Sequence, residues 1–157
     1  MQADAAELTD ACRRPTWAEI DLGALQHNLR QAQGLLRPRQ RVMAVVKADA
    51  YGHGAVAVTR ALLQSGVSDF AVATLEEALA LRQAGINSRL LVLGGCFAGQ
   101  EEAFLRHSLM PAVLDLAAAV RLSAAAVRRR QQVRAHLKVD TGMGRVGFTP
   151  AAPGICP

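Results

Sequence analysis

Arg41-Val-Met-Ala-Val-Val-Lys47-Ala48 is an apolar, β-branched run that leads into the glycine-bearing turn Ala50-Tyr51-Gly52-His53-Gly54 and a helical stretch ending near Gln64. Strand, turn and helix form one unit, and the unit recurs along the chain. Upstream, Thr16 to Leu22 alternates as a short strand, Asp21 is placed to cap a helix from about Ala24 to Leu36, and Pro38 breaks the chain beyond it. Downstream, Asp69 to Ala73 precedes helix Leu75 to Ala84, and Leu90 to Leu93 precedes a weaker helix near Gln100 to His107. Met110 to Leu114 precedes the Ala-rich helix Leu116 to Arg130, and Val133 to Asp140 reads as a last strand. From Thr149 to Pro157 three prolines in nine positions leave no periodicity, so no further unit begins there.

Strands alternating with amphipathic helices predict an α/β fold with parallel strands, right-handed crossovers and helices on the outside. A doubly wound sheet and a (β/α)8 barrel both satisfy this pattern. A barrel needs about eight strands in ~250 residues, so in that case this chain supplies about five of them and does not close the ring.

The 157 residues match the size of one ordinary domain, and 51% hydrophobic against 20% charged residues excludes a disordered chain. A formal charge of +5 favours anionic ligands weakly. Aromatic residues make up only 4%, and the densest basic run, Arg128-Arg129-Arg130, reads as a solvated helix end, so a nucleic-acid partner is not expected. Cys12, Cys96 and Cys156 are odd in number, lie far apart and form no C-x-x-C pattern, so neither a disulfide framework nor a zinc site is suggested, and a reducing cytoplasm fits. The polar leader Met1 to Arg14 holds Asp4, Glu7 and Asp10 and no long apolar run, so it is read as neither signal nor anchor. Leu114 to Val127 is interrupted by Asp115 and Arg121 and is too short to cross a bilayer; neither a membrane nor a metal is expected.

Alternation in Val42 to Lys47 sends Met43, Val45 and Lys47 to one face. A lysine at the C-terminal end of a parallel strand lies where α/β folds place their active sites, and an amine there can act as a Schiff-base nucleophile; it can equally snorkel to water. In His136-Leu-Lys138-Val-Asp140-Thr-Gly-Met143-Gly-Arg145, alternation puts His136, Lys138 and Asp140 together, and the glycine turn aims Arg145 back toward the strand end, where it could clamp an anion. A polar edge strand with a surface arginine is the other reading. Gly52-His-Gly54-Ala-Val-Ala57 matches a dinucleotide fingerprint, with Asp69 and Glu76 at plausible distances for a ribose-binding acid. Cys96 reads as a packed thiol, Glu76 and Glu77 as helix-start carboxylates, and His27 and His107 as surface residues.

Ala44-Val-Val-Lys47-Ala-Asp-Ala-Tyr51-Gly-His-Gly54 and Leu137-Lys138-Val-Asp140-Thr-Gly-Met143-Gly-Arg145-Val-Gly147 resemble the alanine racemases. Trp17-Ala-Glu-Ile-Asp21-Leu, Phe70-Ala-Val-Ala-Thr74-Leu-Glu-Glu-Ala78 and Leu91-Val-Leu93-Gly resemble the same family in the same order. The resemblance spans Thr16 to Phe148 and implies a partial TIM barrel over residues 16–148, between a polar leader at 1–15 and an irregular tail at 149–157. It implies pyridoxal 5'-phosphate as cofactor and interconversion of L- and D-alanine through a cofactor aldimine, supplying D-alanine for peptidoglycan. It further implies that Lys47 is the tethering and proton-moving lysine and that Tyr51 contacts the cofactor phosphate. By the same resemblance Leu93 packs near the pyridine ring, Arg145 and Met143 bind substrate, Arg145 also meets the cofactor, and Lys138 is open to carbamylation. A homodimer is expected of the full-length family, whose second face is served by a tyrosine from the partner's second domain. Nothing after Phe148 matches that domain, so the chain is expected to be an N-terminal part, ended by a premature stop or frameshift and inactive alone. Another racemase or decarboxylase of this cofactor class and a non-catalytic cofactor-binding barrel are the alternatives.

Overall fold

A computed structural model describes residues 16–149. The leader at 1–15 and the tail beyond Thr149 lie outside those residues. The elements are α1 (Leu22–Gly34), β1 (Met43–Val45), a short helical turn α2 (Lys47–Gly52), α3 (Ala55–Gln64), β2 (Asp69–Val72), α4 (Leu75–Gln83) and β3 (Arg89–Val92). They continue with α5 (Glu101–Arg106), β4 (Met110–Val113), α6 (Leu116–Arg129) and β5 (His136–Leu137).

All five strands are parallel, and their order across the sheet is β1-β2-β3-β4-β5, the order of the sequence. A doubly wound sheet reverses its direction of winding at a switch point, and this sheet has none. The wall is therefore wound one way, as in a (β/α)8 barrel, with five strands among the described residues. Two layers of side chains result. Phe70, Val72, Leu90, Val92 and Val113 pack outward against helical residues including Leu62, Leu81, Phe104 and Leu122, making the main core. Ala71, Leu91 and Ala112 pack with Met43, Met110 and Leu114, a cluster without helical residues, and so mark the concave inner side. Burial on both faces explains why Phe70 to Val72, Leu90 to Val92 and Pro111 to Val113 carry no polar side chain. On the inner side Val45 and Leu93 stay 40% and 37% exposed, because among the described residues no opposite wall covers them.

Helix starts obey their capping residues. Asp21 accepts the Ala24 N–H at 3.0 Å, and Asp115 accepts that of Ala118 at 2.7 Å. The expected strand over Thr16 to Leu22 does not form: residues 16–21 are irregular, since a strand requires a neighbour and none among the described residues lies beside them. Helix α1 starts directly after its cap, two residues earlier than its apolar pattern suggests. The last strand is also shorter than Val133 to Asp140. Only His136 and Leu137 pair with β4, after which the chain folds on itself, with Asp140 N–H donating to Phe148 O at 2.7 Å and Phe148 N–H to Lys138 O at 2.9 Å. Gly147 (φ 111°) makes this return possible, because a Cβ there would stand 2.7 Å from Lys138 O.

Candidate active site

At the C-terminal end of β1, Val46 N–H makes its ladder bond to Ala71 O at 2.8 Å, and the backbone then changes hand. Ala48, Asp49, Ala50 and Tyr51 all have φ between 50° and 57°, a left-handed turn built without glycine. Such a conformation costs roughly 1–2 kcal/mol per residue, so it persists only where its polar groups are tied down. Here Ala50 N–H donates to Val46 O at 3.0 Å, Gly54 N–H to Asp49 O at 2.9 Å, and the Asp49 carboxylate takes the Ala55 N–H at 2.6 Å. His53 Nδ1 lies 2.9 Å from Ala50 O. From the first turn of α4, beyond the neighbouring strand β2, Glu77 Oε1 accepts the Ala48 N–H at 2.7 Å.

Lys47 consequently lies at the first position of the turn, one residue beyond Val46, and not on the strand face it shares with Val45 in the alternation pattern. The strand stops at Val45 because the change of hand begins immediately after Lys47. The lysine is half-buried, and its Nζ stands 5.9 Å from the centroid of the Tyr51 ring, within cation–π range. Nζ has no hydrogen-bond acceptor among the described residues. Tyr51 itself is 60% exposed on the rim.

The other end of the wall carries a second organised turn. Asp140 is buried, and its carboxylate accepts the N–H groups of Gly142 and Gly144 at 3.0 Å each and of Arg145 at 2.7 Å. These bonds stabilise the ionised form and hold the carboxyl at about 2. Arg145 is thereby fixed by its backbone, while its side chain is exposed and makes no hydrogen bond or ion pair among the described residues. Met143 is exposed at the turn's tip. Lys138 is half-buried, with Nζ 3.4 Å from both Val139 O and Val146 O. Leu93 sits between the two turns, just past β3, its N–H bonded to Val72 O at 2.8 Å. Parallel strands put every one of these residues on one rim. The structure brings Lys47 and Tyr51 together and Asp140, Lys138 and Arg145 together, but it does not join Arg145 to Lys47 by any bond among the described residues.

The competing readings fare differently. Gly52 and Gly54 lead into α3, but Asp49 already places a carboxylate at its first N–H, where a pyrophosphate would be repelled. Asp69 lies at the opposite end of β2, paired with Arg89 at 2.6 Å, so the dinucleotide reading fails. Cys96 is a packed thiol: burial, then Glu101, pushes it up to about 11. Glu77 does more than the helix-start role read from sequence. Thr74 and Glu77 form a reciprocal capping box, a pattern legible in Thr74-Leu-Glu-Glu77, while the reach of Glu77 to Ala48 has no signal in the sequence.

Residues 20–154 match the sequence profile of the family described as "Alanine racemase, N-terminal domain". The alanine racemase of Desulforamulus reducens is 43% identical over 143 residues, covering 91% of this chain and 39% of that protein. The solved alanine racemase of Clostridium difficile 630 superposes with a TM-score of 0.84 at 37% identity, covering 90% of this chain and 37% of that one. That of Bartonella henselae, solved with covalently bound pyridoxal phosphate, gives 0.75 at 32% identity over 82% of this chain and 36% of its own. The chain thus spans well under half the length of these relatives. A one-way parallel wall agrees with these matches, and the chain belongs to the alanine racemase N-terminal domain family.

Proposed function

We propose that this chain is the cofactor-bearing part of a pyridoxal-phosphate-dependent alanine racemase, a cytoplasmic, homodimeric isomerase supplying D-alanine for peptidoglycan. The observation that carries the reading is the Lys47 amine, half-buried at the rim, beside the Tyr51 ring, and without an acceptor among the described residues. An amine so placed fits an aldehyde cofactor: it is accessible, and no carboxylate among the described residues neutralises it. When bound, pyridoxal phosphate supplies an electron sink that acidifies the Cα–H of an amino acid.

The chain's own residues then divide the work. Lys47 would hold the cofactor through its amine, and that amine, when free, would move the proton on one face of Cα. Tyr51 would offer its hydroxyl to the cofactor phosphate, and Leu93, on the inner side of the wall, would pack near the ring. Arg145, held by Asp140, pairs with the substrate carboxylate beside Met143. Lys138, on taking up carbon dioxide with loss of a proton, would become an anionic carbamate whose charge could steady the Arg145 guanidinium.

The test is incubation with pyridoxal phosphate, borohydride reduction and peptide mass mapping. The amine and aldehyde condense with loss of water, and hydride then fixes the carbon–nitrogen bond. The sequence holds two lysines, Lys47 and Lys138, so Lys138 serves as an internal reference. A pyridoxyl label concentrated on Lys47 is expected; equal labelling of both, or none, rejects the reading.

A further inference from the structure

The Glu77 carboxylate joins two strand ends. One oxygen accepts the Ala48 N–H at 2.7 Å; the other accepts the Ala73 N–H at 2.7 Å and, more weakly, the Thr74 N–H at 3.3 Å. Ala48 is the residue directly after Lys47, and Ala73 directly follows β2. The Ala48 amide begins the left-handed run, and the bond to Glu77 comes from 29 positions away in the chain. Every other bond that holds the run comes from within residues 46–55.

We propose that Glu77 is a positioning residue for Lys47: by bridging the Ala48 and Ala73 amides it fixes the peptide after the lysine, and so sets the direction in which the amine leaves the rim. This rests on the reading of Lys47 as the cofactor-tethering amine. A carboxylate is required because both oxygens accept. In Glu77→Gln one of them is replaced by an NH2 group, which faces a backbone N–H as a second donor. In Glu77→Asp the charge at the start of α4 remains, but the side chain is one methylene too short to span both amides.

The experiment compares wild type, Glu77→Gln, Glu77→Asp and Thr74→Ala. Thr74→Ala removes the hydroxyl that accepts the Glu77 N–H at 3.4 Å, weakening the same helix start while sparing the bridge. The readouts are the ratio of pyridoxyl label on Lys47 to that on Lys138, and hydrogen exchange at the Ala48 amide. Both Glu77 variants are expected to lower the ratio about fivefold and to speed Ala48 exchange about tenfold, as befits a lost charge-assisted bond. Thr74→Ala is expected to leave both near wild type. Unchanged Ala48 exchange in both Glu77 variants, or an equal fall in the labelling ratio in Thr74→Ala, overturns the proposal. Wild type without preference for Lys47 instead defeats the cofactor reading, and faster Ala48 exchange in the Glu77 variants with the ratio unmoved overturns the proposal while leaving the bridge itself in place.

Discussion

The Asp140 carboxylate receives the backbone N–H of Arg145 at 2.7 Å, five positions ahead in the chain, while its other oxygen gathers Gly142 and Gly144. The bond makes an otherwise glycine-rich loop a single structure, and it ties the orientation of a cation to the ionisation of a buried acid. Because hydrogen bonding depresses this carboxyl from 3.8 to about 2, its stabilising effect is complete above about pH 4 and is lost as pH falls through about 2. An NMR titration of the Asp140 side chain and the amides of Gly142, Gly144 and Arg145 is expected to share one midpoint near 2. A midpoint near the ordinary carboxylate value would show that the clamp does not exist in solution.

Gly94 comes directly after Leu93 at the rim, and a Cβ there would come within 2.6 Å of Ala73 O. The clash is with backbone, which also accepts the Gly94 N–H at 2.9 Å, so it has no flexible side chain to yield. Gly94→Ala is expected to destabilise the chain by about 2 kcal/mol, read by urea denaturation, and to disturb the Ala73 amide that Glu77 holds. A change within experimental error would refute this.

Cys96 is buried and pushed up to about 11, so on the order of one molecule in ten thousand carries its thiolate at pH 7. Iodoacetamide is expected to leave Cys96 unmodified in the folded chain and to label it in urea, as judged by peptide mapping. Prompt labelling without denaturant would contradict the packed placement.

Racemisation requires an acid/base group on each face of Cα, and Tyr51, given the phosphate-facing role here, is the chain's one tyrosine. The 157-residue chain alone is therefore expected to form no measurable D-alanine beside a full-length relative assayed in parallel. Turnover approaching that of the relative would overturn both this expectation and the assignment of Tyr51.

Strands β1 and β5 each pair with one neighbour among the described residues, and Val45, Leu93 and Leu137 are exposed along the unclosed wall. Open edges of this kind recruit other chains. Sedimentation at rising concentration is expected to show association, and a concentration-independent monomer with a sharp unfolding transition would speak against it.

Much of the fold was written in the sequence. Apolar runs at Asp69 to Val72 and Met110 to Val113, capping residues at Asp21, Thr74 and Asp115, and the Lys47 and Asp140 to Arg145 motifs identify the segments, because local periodicity and hydrogen-bonding chemistry act within a few residues. Alternation failed at Lys47 and at Thr16 to Leu22. In the first place a left-handed turn ends the pleat, and in the second no neighbouring strand among the described residues completes it. The sequence order of the sheet, which separates a barrel wall from a doubly wound sheet, and the bond from Glu77 to Ala48 were decided only by tertiary structure. A strand's pattern states which faces it must bury and leaves open which strand lies beside it; that choice belongs to contacts between segments far apart in the chain.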